Sequence, residues 1–321
     1  MIKTLVIACV LAFGAGPLRA QDGYPNRAVT LIYPYAAGGS GDIVARTFAD
    51  LMGKRLGQSV IVENRSGGSG IIGTNLGAKA PADGYTVLLT TTQAILNNRF
   101  LFTRLPYEPT RDLSFITEVC AASFLLMTNR SVPAQNVKEM LDWARTDKVN
   151  FGSWGTGSSG HLAGAYLAKL KNLDFVHVAY KGEAPMAQDL ASGQIQLAIG
   201  TLPVARPFIH SGKVRVLAVL GDRRLPSLPD IPTFAEAGLP QPELRPAGFY
   251  VLMVPSATPA PIKARLETVA REAVATEEFR ARMATLGLTP VGNSGTQARE
   301  NYDALYPLQR QLVEVSGAKL D

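Results

Sequence analysis

From Val29 onward the chain alternates short β-branched runs with longer amphipathic ones, the pattern of parallel strands covered by helices on both faces. The runs predict strands over Val29 to Tyr35, Ser59 to Glu63 and Thr86 to Thr90, with helices over Asp42 to Leu56 and Ile71 to Lys79 between them. Asp83-Gly84 supplies the turn before the third strand. A second cycle predicts strands at Phe124 to Thr128, Val149 to Ser153, Phe175 to Tyr180 and Ile195 to Gly200, separated by helices at Val137 to Arg145, His161 to Lys171 and Pro185 to Ala191. Between Leu225 and Pro246 proline is dense. The segment Leu228-Pro229-Asp230-Ile231-Pro232 builds neither a central strand nor a helix interior, so the region reads as an ordered surface connection. A strand at Phe249 to Val254 and helical stretches beginning near Ala260, Glu277 and Thr296 close the chain.

A chain that starts in one lobe, builds a second and returns has two crossovers at its waist. The order therefore predicts two α/β lobes with a hinge and a ligand cleft between them: residues 21–122 with 221–321 in the first, and 123–220 in the second. Length agrees, since roughly 300 residues exceed what one hydrophobic core usually serves.

Before this pattern begins, residues 1–20 read as a secretory signal. Lys3 precedes the apolar run Leu5 to Phe13, helix-breaking Gly14, Gly16 and Pro17 follow, and Ala20 offers a cleavage point before Gln21. The apolar run is far shorter than the roughly 20 residues that span a bilayer, so a mature protein free in solution outside the cytoplasm is expected. Cleavage removes Cys9 and leaves Cys120 as the only thiol, which rules out an intramolecular disulfide in the mature chain. Lying in the apolar stretch Val119 to Met127, Cys120 reads as buried and inert.

Charge narrows the partners. The formal net charge falls from +6 to +4 when Lys3 and Arg19 leave with the signal, and Lys and Arg are scattered without aromatic interleaving. That distribution points away from nucleic acid or a membrane surface, while a mild positive field favours anionic solutes.

Candidate chemistry sits in three glycine-rich segments, each after a predicted strand and before a predicted helix: Ala36 to Asp42, Gly67 to Gly70 and Gly155 to Gly160. Ligands of open α/β sheets bind outside the carboxyl ends of the strands. There glycine lets backbone approach the ligand, and unpaired N–H groups at the positive end of a helix dipole attract an anion. Serine hydroxyls add donors, so a carboxylate is held without arginine. The first and third loops, in different lobes, together suggest a shared anion site. The alternative is that the glycines only shape turns and that Ser40, Ser158 and Ser159 only cap helices.

Gly68 to Gly73 and Gly155 to Gly160 also match the glycine spacing of a dinucleotide site, but the acids that follow, Asp83 and Asp174, precede their strands and so lie at the wrong end for a ribose. No cofactor is expected. His161, His177 and His210 lack metal-ligand spacing, and neither a GxSxG elbow nor a P-loop is present, so no metal and no catalytic residue is assigned. A nucleophile set of Ser40, Asp42 and His161 competes with a simpler role for Asp42, which is placed to pair with Arg46 one helical turn on.

The motifs, taken in order, resemble the Bug, or tripartite tricarboxylate transporter, solute-binding receptors. They are Tyr24-Pro25, Tyr35 to Arg46, Val62 to Gly70, Pro81 to Thr86, Leu105-Pro106-Tyr107, the loop ending at His161, Val178 to Gly182, Pro229 to Thr233 and Glu236-Ala237-Gly238. This resemblance implies a periplasmic type II binding-protein fold that captures a small organic carboxylate, mono- or dicarboxylate and aliphatic or aromatic, and delivers it as a monomer to integral-membrane transporter subunits. Presentation to a membrane sensor kinase is the alternative, and enzymatic action on a carboxylated substrate a further one. Carried onto this chain, the resemblance places the first grip at Ala37, Gly39 and Ser40 with Asp42 nearby, and the second at Thr156, Gly157, Ser158 and Ser159 with His161. Two departures stand out. Gly41 replaces the threonine usual between the loop serine and the aspartate, which implies a wider pocket, and Ala179 replaces a proline before Tyr180.

Further cleft candidates follow from position alone. Tyr35, Trp154 and Tyr180 stand at strand ends, where they stack on an aromatic acid or pack the rim. Thr91 and Gln93 follow the third strand and reach the distal part of a ligand or merely start the next helix. Lys181 neutralises a second carboxylate or stays solvated.

Overall fold

The computed structural model describes residues 23–245 and 248–320, so the signal segment and its cleavage point lie outside the described residues. Among the described residues eleven strands form two sheets. In chain order they are β1 (Val29–Tyr33), β2 (Val60–Asn64), β3 (Thr86–Thr91), β4 (Leu113–Ala122), β5 (Phe124–Asn129), β6 (Val149–Ser153), β7 (Phe175–Ala179), β8 (Leu197–Gly200), β9 (Val214–Leu220), β10 (Gly248–Pro255) and β11 (Leu288–Pro290). The first sheet has the order β11-β4-β10-β3-β1-β2 and the second β7-β6-β8-β5-β9. Each joins a parallel half, β3-β1-β2 or β7-β6-β8, to antiparallel strands. This is a two-lobed α/β architecture with the parallel strand ends, where ligands of such sheets bind, in both lobes.

The helix Ser40–Leu56 shows why the amphipathic runs were legible. Val44, Ala45, Phe48, Leu51, Met52 and Leu56 recur at helical spacing and are buried, while Arg46, Asp50 and Lys54 stay outside. Gly57 ends it in a left-handed conformation at φ 70°, returning its N–H to the Gly53 carbonyl.

Two segments cross the waist side by side. The first is Ala122-Ser123-Phe124, where β4 of one sheet runs directly into β5 of the other. The second leaves β9 at Leu220-Gly221; Leu220 pairs with Phe124, and Gly248 at the return pairs with Ala122. A single hydrophobic cluster runs through this waist, from Phe48 and Leu89 past Ala122 and Phe124 to Phe151 and Ile199. A second tie comes from the C-terminal helix Gly295–Ser316: its Leu312 and Val313 join Leu101 and Leu162, the latter from the helix Ser159–Lys171.

The structure corrects several expectations. The first strand stops at Tyr33, because Pro34 has no N–H to donate to the ladder. Strands β4 and β9 and the helix Leu202–His210 were not anticipated. The apolar stretch Val119 to Met127 is two strands of two sheets, buried on both faces over much of its length, so it shows no alternation to read. The proline-rich region is more than a surface connection. Leu225, Phe234, Leu239 and Leu244 are buried, and Thr233 bridges to Val219 of β9. A capping box holds it there, with Thr233 N–H on Glu236 Oε2 (2.8 Å) and Glu236 N–H on Thr233 Oγ1 (3.1 Å). Cys120 is buried as expected, and burial pushes its thiol far up. No helix among the described residues is long and apolar enough to cross a membrane.

Candidate functional site

The first loop follows β1, and its residues Ala36 to Gly39 are exposed. The helix that follows starts at Ser40 with Gly39 as its N-cap, so Ser40 is the first helical residue and its hydroxyl caps nothing. No described residue accepts the Ser40 or Gly41 N–H, or bonds the Ser40 hydroxyl. These are the orphan donors of a helix start, opened by glycine.

Asp42 holds this loop in shape. Its Oδ2 accepts from Gly38 N–H (3.1 Å) and Arg46 Nε (3.0 Å), and its Oδ1 from Asn64 Nδ2 (2.9 Å). Asn64 also donates to the Tyr35 carbonyl (3.1 Å), tying the loop to the end of β2. Burial raises the Asp42 carboxyl, but the bonds from Arg46, Asn64 and Gly38 outweigh it and hold the group below the usual range. The expected pair with Arg46 is present. With both oxygens engaged, Asp42 supports the grip and is not itself a gripping group.

The expectation of extra room at Gly41 is overturned. A Cβ built there would stand 1.8 Å from Tyr33 Oη and 2.9 Å from Tyr250 Cε1. Those two tyrosines fill the space a threonine would need, so at this position only glycine fits beside Tyr33.

The second loop follows β6. Here Ser158 is the N-cap and accepts from His161 N–H (3.2 Å), while Ser158 N–H donates to the Gly155 carbonyl (3.2 Å). Gly157 N–H is also taken, by His161 Nδ1 at 3.0 Å. Gly157 and Ser158, both expected to present donors, therefore build the loop. Left without described partners are the N–H groups of Thr156, Ser159 and Gly160 and the hydroxyls of Thr156 and Ser159. Both loops thus end in the same chemistry: the first two N–H groups of a helix plus a serine hydroxyl, with no cation in either loop. Gly157 also marks a lobe contact, its Cβ position falling 2.4 Å from Leu101 Cδ1.

His161 is buried and stacks on His177, with centroids 3.8 Å apart and planes at 15°. His177 Nε2 lies 2.8 Å from Ser153 Oγ, whose hydroxyl donates to the Gly155 carbonyl (3.0 Å). Desolvation first, and His177 second, push the His161 pKa down to about 4, so the ring is neutral at pH 7. Its Nδ1 accepts from Gly157 and Nε2 carries the proton. The imagined Ser40, Asp42 and His161 set has no support in these contacts, since Asp42 and His161 each serve their own loop.

The other candidates divide. Tyr35 and Thr91 come together, Oη to Oγ1 at 2.6 Å, joining the first loop to the end of β3. Gln93 opens a wide helical turn, Gln93–Asn97, and its side chain bonds no described residue. Trp154 lies against Phe124 at 5.0 Å, with Gly160 beneath its ring, so it packs the waist. Tyr180 sends its hydroxyl to Asp189 Oδ2 (2.7 Å) and is committed to its own lobe. Lys181 is exposed and makes no ion pair among the described residues. Two surface grooves of about 670 and 640 Å³ lie elsewhere, beside β2 and beside the C-terminal helix, and no residue of either loop lines them.

Sequence reasoning gave no role in the site to Asn64, Tyr33 or His177. Asn64 ends β2 at the correct edge of the sheet, which was a usable signal. The others are visible only once the strands are packed.

Two α/β lobes joined by paired crossovers, with anion-type helix starts at parallel strand ends in both, define the class of hinged solute-binding proteins. Comparison with known proteins gives the particular family. Residues 44–304 match the tripartite tricarboxylate transporter family receptor, and the chain belongs to that family. It is 35% identical over 304 residues to the UPF0065 protein in the tcbD-tcbE intergenic region of Pseudomonas sp. (strain P51), covering 91% of this chain and 88% of that one. Among solved structures, Rpa4515 of R. palustris with adipate is 32% identical at a TM-score of 0.83, covering 92% of this chain and all of the other. The periplasmic binding protein BugD is 30% identical at a TM-score of 0.79, over 92% and 99%.

Proposed function

We propose that this chain is a periplasmic receptor, without enzymatic activity, that captures a small organic carboxylate by lobe closure and delivers it to tripartite tricarboxylate-type membrane subunits. Residues 21–122 with 221–321 form one closing body in this reading, and 123–220 the other. The observation that carries it is the matched pair of helix starts. Ser40 and Gly41 in one lobe, and Ser159 and Gly160 in the other, each offer two unpaired N–H groups at the positive end of a helix. Serine hydroxyls add a donor on each side. Asp42, Gly157, Ser158 and His161 hold these donors in place. Tyr35, Thr91 and Gln93 border the first loop and meet the rest of the solute. Family membership supports transport, and the similar protein solved with adipate supports a carboxylate.

A thermal-shift screen tests the reading. A ligand that binds only the folded state at a hundred times its Kd adds about 2.7 kcal/mol, which raises the melting temperature measurably. Aliphatic and aromatic carboxylates are expected to include such ligands. A shift with a neutral sugar or a simple amine, and with no carboxylate, contradicts the anion site.

A further inference from the structure

Glu183 opens the helix Glu183–Ser192, directly after Tyr180-Lys181-Gly182 at the end of β7. Its side chain reaches to the end of β8, where Thr201 donates its N–H to Oε1 (3.1 Å) and its hydroxyl to Oε2 (2.5 Å). Gly200 lies alongside, its Cβ position 3.8 Å from Oε1. The strands β7 and β8 flank β6 on either side, so this carboxylate is fixed next to the loop that follows β6. Tyr250 of the other lobe lies within electrostatic range of it. Tyr250 of β10 has its hydroxyl pKa raised by burial, by Cys120 and then by the charge of Glu183, and the same tyrosine packs on Gly41 of the first loop.

No described lysine, arginine or histidine pairs with Glu183. Desolvation outweighs the two Thr201 bonds and pushes its carboxyl up to about 7. With its pKa at about 7 the carboxyl is about half protonated at neutral pH, which relieves part of the cost of an unpaired buried charge, and a ligand that supplies a positive charge favours the ionised form. The charges nearby sharpen the point. Arg46 is committed to Asp42 and Asn64, and Lys181 points to solvent. A dianionic solute would add two negative charges beside this carboxyl, with the exposed Lys181 as the uncommitted cation close to it in sequence. A solute carrying its own ammonium sets that charge against Glu183 and leaves its carboxylate to the loop donors.

We propose that Glu183 is the counter-charge for a protonated nitrogen on the solute, so that the receptor is built for amino-carboxylates: the carboxylate on the loop donors, the ammonium on Glu183. This rests on the carboxylate reading above and names the solute class within it. A carboxylate that merely bolts two helix starts together through Thr201 would leave ligand choice untouched, and that difference is measurable.

Titration calorimetry at pH 7.5 would compare each amine with its deaminated parent: L-glutamate with glutarate, L-phenylalanine with 3-phenylpropionate, and γ-aminobutyrate with butyrate. In the wild-type chain the amine-bearing member of the pair that fits is expected to bind at least about tenfold more tightly. Glu183→Gln, which keeps the shape and removes the charge, is expected to abolish that preference. Parent acids binding as well as or better than their amines overturns the assignment of Glu183 and leaves the carboxylate reading standing. An unchanged preference in Glu183→Gln overturns it equally. Failure of every carboxylate in both columns overturns both readings together. Should the variant not fold, the wild-type comparison decides alone.

Discussion

Ser158 and Ser159 are adjacent, share a loop and do different work. Ser158 is 1% exposed and its hydroxyl closes the first turn on His161 N–H, whereas Ser159 leaves its hydroxyl free. Ser158→Ala is expected to cost about 1 kcal/mol of stability, the worth of an N-cap, as read from a urea midpoint. Ser159→Ala is expected to leave the midpoint within about 0.5 kcal/mol and to weaken solute binding instead. The same exchange of roles separates Ser40 from a cap and Asp42 from a ligand contact. From sequence these residues look alike, because a serine before a helix reads as a cap in every case. Which serine caps depends on a one-residue shift of the helix start, and the hydrophobic spacing does not fix a boundary that finely. Gly41 is a related case: its glycine reads as a lost side chain, but Tyr33, eight positions back, shows that the space is occupied.

At the scale of elements, the strands with polar flanks and the long amphipathic helices were legible from their periods. β4 was not, since it runs into β5 with only Ser123 between them and the continuous apolar stretch Val119 to Met127 marks no boundary between two strands. Several motifs that carried the family resemblance turn out to hold the fold. Tyr107 of the Leu105-Pro106-Tyr107 motif donates its hydroxyl to the Ala94 carbonyl (2.6 Å), and Asp83 receives Tyr85 N–H (3.0 Å). The His161 element adds a pH dependence. Its folded pKa of about 4 lies below the unfolded value of 6.5, so between these pH values the unfolded chain binds a proton that the folded chain refuses. Stability is therefore intact above pH 6.5 and is lost as pH falls toward 4, by about 3 kcal/mol from this group. In His161→Gln, whose amide oxygen still accepts from Gly157, the stability difference between pH 7.5 and 4.5 is expected to shrink by most of that amount in urea titrations. An undiminished difference assigns the acid sensitivity elsewhere.

For the whole molecule, the two-lobed plan follows from chain order, and what order alone hides is how closely the lobes are tied. The crossovers at Ser123 and Gly221 run together, the core passes between the sheets, and the C-terminal helix reaches from the first sheet to pack on the helix behind the second loop. In the proposed function, closure on this frame would bring one set of free donors toward the other without unpacking either sheet. The most direct test is a crystal structure of the chain with its solute bound. One solute carboxylate is predicted to lie about 3 Å from the N–H groups of Ser40 and Gly41 on one side and of Ser159 and Gly160 on the other, directly or through one water. A solute seated away from both loops, or one that turns an uncharged group toward them, contradicts the account.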